Sequence, residues 1–161
     1  MSDVVHAAGA PKPVGAYPHA RRVGNLLFLS GVGPRDPVTN AVIGNVYDAH
    51  GRLLSYDIEA QCRAVFANVR TILESCGARW EDLVDVTVFL TDMAHDFDAY
   101  NRVYAEFFTA AQPCRTTVGI TALPTPIAIE LKCIALASAN MEANNISVSK
   151  LRFNRRASET D

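Results

Sequence analysis

The sequence predicts an α+β fold, in which a mixed sheet of five or six strands carries two helices on one of its faces. A chain of 161 residues, of which 49% are hydrophobic, has the length and composition of one domain with a single core. Two stretches repeat apolar residues at helical spacing, and the other apolar stretches are short. Two helices cannot cover both faces of such a sheet, so we expect copies of the chain to bury the second face in a closed homo-oligomer.

A hairpin is predicted in the stretch RRVGNLLFLSGVGPRDPVTNAVIG, residues 21–44. Its short apolar runs are interrupted at Gly24-Asn25 and at Asp36-Pro37, which are residue pairs typical of turns. Asn40 suits the left-handed backbone conformation that many turns require. The first strands of the sheet are therefore expected here.

The first helix is predicted over residues 58–76, where apolar residues recur at steps of four, three and one. Ser55 is a candidate for its N-terminal cap, and Asp57 and Glu59 favour the positive end of the helix dipole. Gly77 is a typical residue after a helix end.

A strand and a second helix follow. In DLVDVTVFLT, residues 82–91, one face of the predicted strand is strongly apolar and consists of Val84, Val86, Val88 and Leu90. The second helix is predicted from an aromatic stripe, which consists of Phe97, Tyr100, Tyr104, Phe107 and Phe108. These aromatic side chains are expected in the core rather than around a ligand.

The last two predicted strands, CRTTVGIT and PTPIAIELKCIALAS, each carry charged residues on one face. Alternation places Glu130 and Lys132 on the same face of the final strand, and Arg115 lies on a polar face of the strand before it. If the two strands pair as a hairpin, Arg115 can approach Glu130 across it, or otherwise across a subunit boundary. The pair is then either a structural ion pair or a site in which arginine grips a carboxylate and the glutamate handles a water proton.

Several other functions are disfavoured. The formal net charge of −2 gives no general attraction to nucleic acid or to anionic membranes, and no apolar run is long enough to span a bilayer. The four histidines lie without metal-ligand spacing, so no dedicated metal site is expected. The start has no signal-peptide pattern, which predicts a cytoplasmic protein whose four cysteines are free thiols. Residues 1–139 are predicted to be the domain, and residues 140–161 a polar C-terminal tail.

Five motifs carry a family resemblance. They are VGAYPHA, GNLLFLSG, TVFLTDMAHDFDAYNRVYAEFF, QPCRTTVG and AIELKCIA. Together they resemble the RidA (YjgF/YER057c/UK114) family of enamine and imine deaminases. Within that family, VGAYPHA and the long loop GNVYDAHGRLLSY are most similar to the 2-aminomuconate deaminases. The resemblance implies a chorismate-mutase-like fold, a homotrimer with active sites between subunits, and hydrolysis without a cofactor.

The resemblance also implies roles for particular residues. Arg115 would hold the carboxylate of the substrate, and Glu130 would position or activate water. Tyr17 is expected beside them as a third catalytic side chain. The other implied substrate-binding residues are Ser30, Gly31, Phe89 and His19.

This chain departs from the common family pattern at two places. Pro18 and His19 replace a serine and a glutamine after Tyr17, and Thr117 stands at the position of a frequent cysteine. A dicarboxylate substrate would need a second cationic or hydrogen-bonding group, for which Arg35, His19 and Lys132 are candidates.

Structural roles remain open for several of these residues. Tyr17 could cap the sheet, Ser30 and Gly31 could simply end a strand, and Lys132 could neutralise Glu130. At the level of function, a general deaminase of 2-aminoacrylate-type intermediates competes with a dedicated pathway enzyme. A non-catalytic trimer that binds metabolites is a further alternative, and RNA binding is disfavoured by the acidic composition.

Overall fold

The computed structural model describes residues 2–137, which form eight strands and two α-helices. The predicted C-terminal tail lies outside these residues. The strands are β1 (Ser2–Val5), β2 (Ala20–Val23), β3 (Leu26–Leu29), β4 (Asn45–Tyr47), β5 (Leu53–Tyr56), β6 (Leu83–Leu90), β7 (Cys114–Gly119) and β8 (Ile129–Leu136). The helices are α1 (Ile58–Ser75) and α2 (Met93–Phe107).

Six of the strands form one mixed sheet in the order β1-β2-β3-β8-β6-β7. Only β6 and β7 are parallel within this sheet, and the other neighbours are antiparallel. The α+β fold with two helices on a mixed sheet is therefore confirmed. The last two strands do not pair as a hairpin, because β6 lies between β7 and β8, so Arg115 does not approach Glu130 in that way.

The two helices begin and end where local chemistry favours it. Asp57 caps α1, since its side chain accepts a hydrogen bond from the backbone N–H of Ala60 at 3.0 Å. Ser55, the predicted cap, lies instead in β5. Gly77 follows the helix with a φ of +71°, the left-handed conformation that glycine adopts without strain. Neither helix within residues 2–137 combines the length and apolarity of a bilayer-spanning segment.

An aromatic cluster fixes α1 against α2. Phe66 of α1 is 1% exposed, and its ring centroid lies 4.9 Å from that of Phe107 and 6.0 Å from those of Trp80 and Tyr104. The predicted core role of the aromatic stripe is thus confirmed for its buried members. Two ion pairs join the exposed sides of the helices. They link Arg63 to Glu106 and Arg102 to Glu59.

The predicted hairpin is formed by β2 and β3, which are joined through Gly24 at a φ of +60°. Asn40 has the predicted positive φ, at 63°. The expected long loop at residues 44–56 contains a second hairpin instead, since β4 and β5 pair there. This hairpin is bonded to the rest of the domain through Asn45, whose side chain donates to the carbonyl of Pro126 at 2.7 Å.

The helices cover one face of the sheet, and the other face carries apolar side chains at its surface. On that second face Val4, Val23 and Leu136 are each 45% exposed or more. Val84 is also 40% exposed, because a register shift between Leu83 and Asp85 turns it out of the core that alternation predicted for it. The second face therefore has the apolar exposure expected of a surface that a partner covers.

The four cysteines are free thiols, as predicted, and they differ in burial. Cys62, Cys76 and Cys133 are buried, whereas Cys114 is exposed at the start of the edge strand β7. Burial raises the pKa of the Cys62 and Cys133 thiols to about 12, so these two stay protonated at neutral pH.

We expect Phe66→Ala to lower the free energy of unfolding by about 3–5 kcal/mol, because it leaves a cavity among the rings of Trp80, Tyr104, Phe107 and Phe108. Urea denaturation followed by circular dichroism measures this loss at a fixed protein concentration. Val38→Ala is the control, since Val38 is 90% exposed and its loss should matter by less than about 0.5 kcal/mol. A Phe66→Ala protein as stable as the control variant would contradict this account of the core.

Candidate active site

Strand β8 carries core residues on one side and the candidate site on the other. Ile129, Leu131 and Cys133 are at most 1% exposed beneath the helices. Glu130 and Lys132 alternate with them and lie on the second face of the sheet. The predicted alternation of this strand is therefore confirmed, and it makes the position of the two charged residues a direct result of core packing.

Glu130 lies against the backbone that follows β3. Val32 and Leu131 exchange two backbone hydrogen bonds, of 2.8 and 3.0 Å, which bring the segment after β3 alongside β8. A Cβ atom at Gly31 would lie 2.8 Å from the carboxyl carbon of Glu130 and closer still to one of its oxygens. Any larger residue would displace the carboxylate, so the glycine is required for this close approach.

The residues around Glu130 form a cleft of about 370 Å³. Its polar lining includes Tyr17, Ser30, Arg35, Glu130 and Lys132, together with Gly31. Four residues predicted for the site, Tyr17, Ser30, Gly31 and Glu130, are thus brought together in one chain. The cleft has room for a small metabolite.

The carboxyl group of Glu130 is half-buried, and burial raises its pKa above the usual range. The positive charge of Arg35 acts in the opposite direction and partly offsets this rise in pKa. A carboxyl group with a pKa raised by burial holds its proton more tightly than an exposed glutamate does, and such groups are candidates for proton transfer.

Tyr17 and Ser30 are held by the N-terminal loop. The Tyr17 hydroxyl accepts a hydrogen bond from the backbone N–H of Val14 at 3.3 Å, and the ring remains 39% exposed at the cleft. The Ser30 hydroxyl donates to the carbonyl of Pro18 at 2.6 Å. Ser30 therefore fixes the loop that carries Tyr17, and Tyr17 lines the cleft.

Both ring nitrogens of His19 form hydrogen bonds with backbone groups. Nδ1 accepts from the N–H of Ala7 at 3.0 Å, which assigns the proton to Nε2, and Nε2 lies 3.0 Å from the carbonyl of Pro11. His19 lines a small cavity next to the main cleft. With both nitrogens engaged, its ring fastens the N-terminal segment, and no ring N–H is directed to a substrate.

Phe89 and Lys132 border Glu130 on the second face of the sheet. Phe89 is directly opposite Glu130 in the pairing of β6 with β8, so the two side chains are neighbours on this face. The Lys132 ammonium group donates to the carbonyl of Leu29 at 3.3 Å. Lys132 is therefore fastened to β3 next to the cleft.

Arg115 does not meet Glu130 within one chain. It is in register with Val86, which is fully buried on the helix-covered face, whereas Glu130 is on the second face. The Arg115 guanidinium lies 4.6 Å from the ring centroid of Tyr104 and donates to the side-chain oxygen of Asn101 at 2.8 Å. It is exposed at the edge strand, where cation–π contacts with Tyr104 and Tyr100 and the hydrogen bond to Asn101 fix its position.

Buried amide side chains hold the cleft walls, and the sequence interpretation missed them. Asn68 donates to the carbonyls of Gly33 and Arg35 at 2.9 Å each. Gln61 accepts from the backbone N–H of Ala128 at 2.8 Å and donates to Asn45. Gln61 and Asn68 are seven residues apart on the buried face of α1, so two amides in an otherwise apolar helix face were the available signal.

Among residues 2–137, no three His, Cys, Asp or Glu side chains come together in a group that could hold a metal ion.

Two helices on one face of a mixed six-stranded sheet, with a small acid-containing cleft on the other face, define a class of α+β domains. The chain belongs to one family of this class, the RidA family: the family model described as Endoribonuclease L-PSP matches residues 7–137. The resemblance inferred from the five motifs is confirmed at the level of the family.

Relatives and solved structures agree with this membership. A RutC family protein of Pyrococcus horikoshii is 39% identical over 135 residues, which are 84% of this chain and 98% of that protein. Reactive Intermediate Deaminase A, a chloroplastic protein of Arabidopsis thaliana, is 37% identical over 133 residues, 83% of this chain and 65% of that protein. RidA from an Antarctic Psychrobacter species has a TM-score of 0.72 at 30% identity, covering 83% of this chain and 98% of that chain.

We expect Glu130→Gln to be more stable than the wild type at neutral pH. Because burial raises the pKa of Glu130, the folded chain binds this proton more tightly than the unfolded chain does. Ionised Glu130 therefore opposes folding at pH values above its folded-state pKa, and this cost vanishes below the pKa of the unfolded glutamate. The gain in stability should disappear below about pH 4, and thermal denaturation across pH at one protein concentration measures it.

Glu106→Gln is the control, and it is expected to change the stability at neutral pH in the opposite direction, by lowering it. Hydrogen bonding to Arg63 lowers the pKa of Glu106, so the charged form of Glu106 favours folding at neutral pH. A Glu130→Gln protein that is less stable than the wild type at neutral pH would contradict the description of Glu130 as a desolvated acid.

Proposed function

We propose that this protein is a deaminase that hydrolyses enamine and imine carboxylates without a cofactor. The observation that carries the proposal is the half-buried Glu130, whose pKa is raised by burial and which faces a cleft between Gly31, Tyr17 and Arg35. The name of the Arabidopsis relative, Reactive Intermediate Deaminase A, supports the same class of reaction.

The reaction begins with a 2-amino-2-enoate, which tautomerises to its imine by moving one proton from nitrogen to carbon. Water then adds to the C=N carbon: its oxygen forms the new C–O bond, and the nitrogen gains a proton. The resulting carbinolamine loses its C–N bond, and the leaving nitrogen departs as ammonia with a further proton. The products are a 2-oxo acid and ammonia, so atoms balance with water as the only co-substrate.

Glu130 is the group proposed to move these protons. As a base, its carboxylate takes a proton from the attacking water, and as an acid it returns that proton to the departing nitrogen. Burial raises the pKa of Glu130, which makes its carboxylate a stronger base than that of an exposed glutamate. Tyr17 borders the same cleft with its ring, and in this proposal it confines the substrate beside the water.

Arg115 is proposed to bind the substrate carboxylate from a neighbouring copy of the chain. Within one chain it lies on the face of the sheet opposite to Glu130, but it is exposed on the edge strand β7. Exposed apolar residues on the second face support association of copies there, in keeping with the trimer that the family resemblance implies. Each site would then contain Glu130 of one copy and Arg115 of the next.

The finer proposal for the substrate is 2-aminomuconate, a dicarboxylate, and the alternative is a short monocarboxylate such as 2-aminoacrylate. The motif VGAYPHA and the segment 44–56 support the first. Solved E. coli TdcF with bound serine, which has a TM-score of 0.72 at 29% identity and covers 84% of this chain and 99% of that chain, supports a site for small amino carboxylates. A cytoplasmic location stays a prediction.

Two other functions are distinguished by simple assays. Ribonuclease activity, which the description of the family model mentions, finds little support in a chain with a formal net charge of −2 and a carboxylate in its cleft. A metabolite-binding oligomer without catalysis would bind carboxylates and release no ammonia. Ammonia release from 2-aminomuconate and from 2-aminoacrylate, measured beside an RNA-cleavage assay, separates these functions.

We expect Glu130→Gln to slow ammonia release by about 100- to 10,000-fold, because the proton carrier is lost while the shape is kept. The measurement is kcat under saturating substrate, and the oligomeric state is checked by size-exclusion chromatography with light scattering. Glu106→Gln, an exposed change on α2, is the matched control and should retain activity. Full activity of Glu130→Gln would remove the proposed mechanism.

Arg115→Ala should lower kcat/KM by an amount equivalent to about 2–5 kcal/mol, because the substrate carboxylate loses its charged partner. Arg102→Ala is the matched control, since Arg102 is an exposed arginine of α2 that pairs with Glu59. Unchanged kcat/KM in a folded Arg115→Ala protein would contradict the proposed role.

Mixing the two inactive proteins tests whether a site is shared between copies. After Arg115→Ala and Glu130→Gln chains are unfolded together and refolded at equal concentration, about a quarter of the sites in a cyclic oligomer should regain both intact residues. Activity should therefore rise well above that of either protein alone. Absence of any recovery, in mixtures shown by mass spectrometry to contain both chains in one oligomer, would place the two residues in separate functions.

A further inference from the structure

Arg35 follows the extended segment after β3 and lines the same cleft as Glu130. We propose that Arg35 is a second anion-binding position, which selects substrates with a negative group at the end remote from the reacting carbon. This inference rests on the proposed function, because it takes Glu130 and the partner's Arg115 as the reacting end. The chemical class selected is a dicarboxylate enamine.

The backbone that carries Arg35 is fixed from two sides. Asn68, a buried residue of α1, donates to the carbonyls of both Gly33 and Arg35. Arg35 also forms an antiparallel bridge with Val42. A side chain on such a support loses little further freedom when a ligand binds, and this favours affinity.

The Arg35 guanidinium forms one side-chain hydrogen bond and has further N–H donors that could bind a ligand. Its Nη1 donates to the side-chain oxygen of Asn40 at 2.5 Å. A guanidinium has five N–H donors in a planar fork, so one hydrogen bond leaves an edge that can grip a carboxylate with two. Within residues 2–137, no carboxylate forms an ion pair with Arg35.

The neighbouring acid, Asp36, forms no ion pair with Arg35. The carboxylate of Asp36 accepts hydrogen bonds from the backbone N–H groups of Val38 and Thr39 and from the Thr39 hydroxyl. These hydrogen bonds, chiefly the one from the Thr39 backbone N–H, lower the pKa of Asp36. All three end on Oδ1, so this oxygen is bonded to residues of the same turn. The charge of Arg35 instead reaches Glu130 across the cleft.

The two other candidates for a second anion position are less suited to bind a carboxylate. Both ring nitrogens of His19 are bonded to backbone groups. The Lys132 ammonium donates to the carbonyl of Leu29, and a lysine cannot offer the paired donors of an arginine fork. These contacts favour Arg35 over His19 and Lys132.

Binding of unreactive acids tests Arg35 without requiring catalysis. Adipate and hexanoate have the same six-carbon chain and differ only in the second carboxylate, and calorimetry on the full-length protein gives their affinities. The wild type should bind adipate about tenfold or more tightly than hexanoate, the size expected of a charge-assisted hydrogen bond. Arg35→Gln should bring this ratio close to one, and Arg35→Lys should restore part of it.

Arg52→Gln is the matched control. Arg52 is an exposed arginine that pairs with Asp48 in the β4–β5 turn, and its loss should leave the adipate-to-hexanoate ratio as in the wild type. Equal affinities of the wild type for the two acids, or an undiminished ratio in Arg35→Gln, would overturn the proposal.

Kinetics separates the failure of this inference from the failure of the proposed function. Arg35→Gln should raise KM for 2-aminomuconate about tenfold more than KM for 2-aminoacrylate. An equal loss with both substrates would make Arg35 part of the reacting end and overturn selection by a second anion. If the wild type released no ammonia from either compound, the deaminase proposal would fail, and the acid-binding ratio would still decide the role of Arg35.

Discussion

The pairing of β8 with β3 on one side and β6 on the other is the constraint on which the structure depends. Both neighbours are antiparallel to β8, and its inward residues are fully buried beneath the helices. A shift of one residue would move Glu130 into the core and Leu131 to the surface. The free energy of core packing therefore also holds the acid group in its cleft, beside a glycine that has no Cβ to obstruct it.

The spacing of apolar residues predicted most of the fold, because a helix or strand that is buried on one face repeats apolar residues at a fixed interval. Helix α1, the β2–β3 hairpin and the alternation of β8 were all readable in this way. The short β4–β5 hairpin is largely exposed and buries no face of its own, so its residues resembled a loop. The order of the strands was not readable either, since β6 enters between β7 and β8 through pairing partners distant in the sequence.

The part of the candidate site that could be predicted consists of residues that stand out within their own stretch of sequence. Glu130 interrupted an apolar strand, and motif positions indicated Tyr17, Ser30 and Gly31, which do line one cleft with it. Spacing cannot show that Arg115 belongs to the helix-covered face, because that depends on its register with β6. The amides of Gln61 and Asn68 hold the cleft walls through backbone carbonyl and N–H groups, contacts that leave no trace in a hydrophobic pattern.

Trp80 is the single tryptophan of the chain and lies among the rings that join the two helices. Its indole N–H donates to the carbonyl of Phe107 at 3.0 Å, and it is 7% exposed. Its intrinsic fluorescence should therefore follow loosening of the helix layer, whereas occupancy of the cleft on the far side of the sheet should leave the emission almost unaltered. Optical detection of a bound metabolite consequently calls for a chromophore introduced on the cleft side.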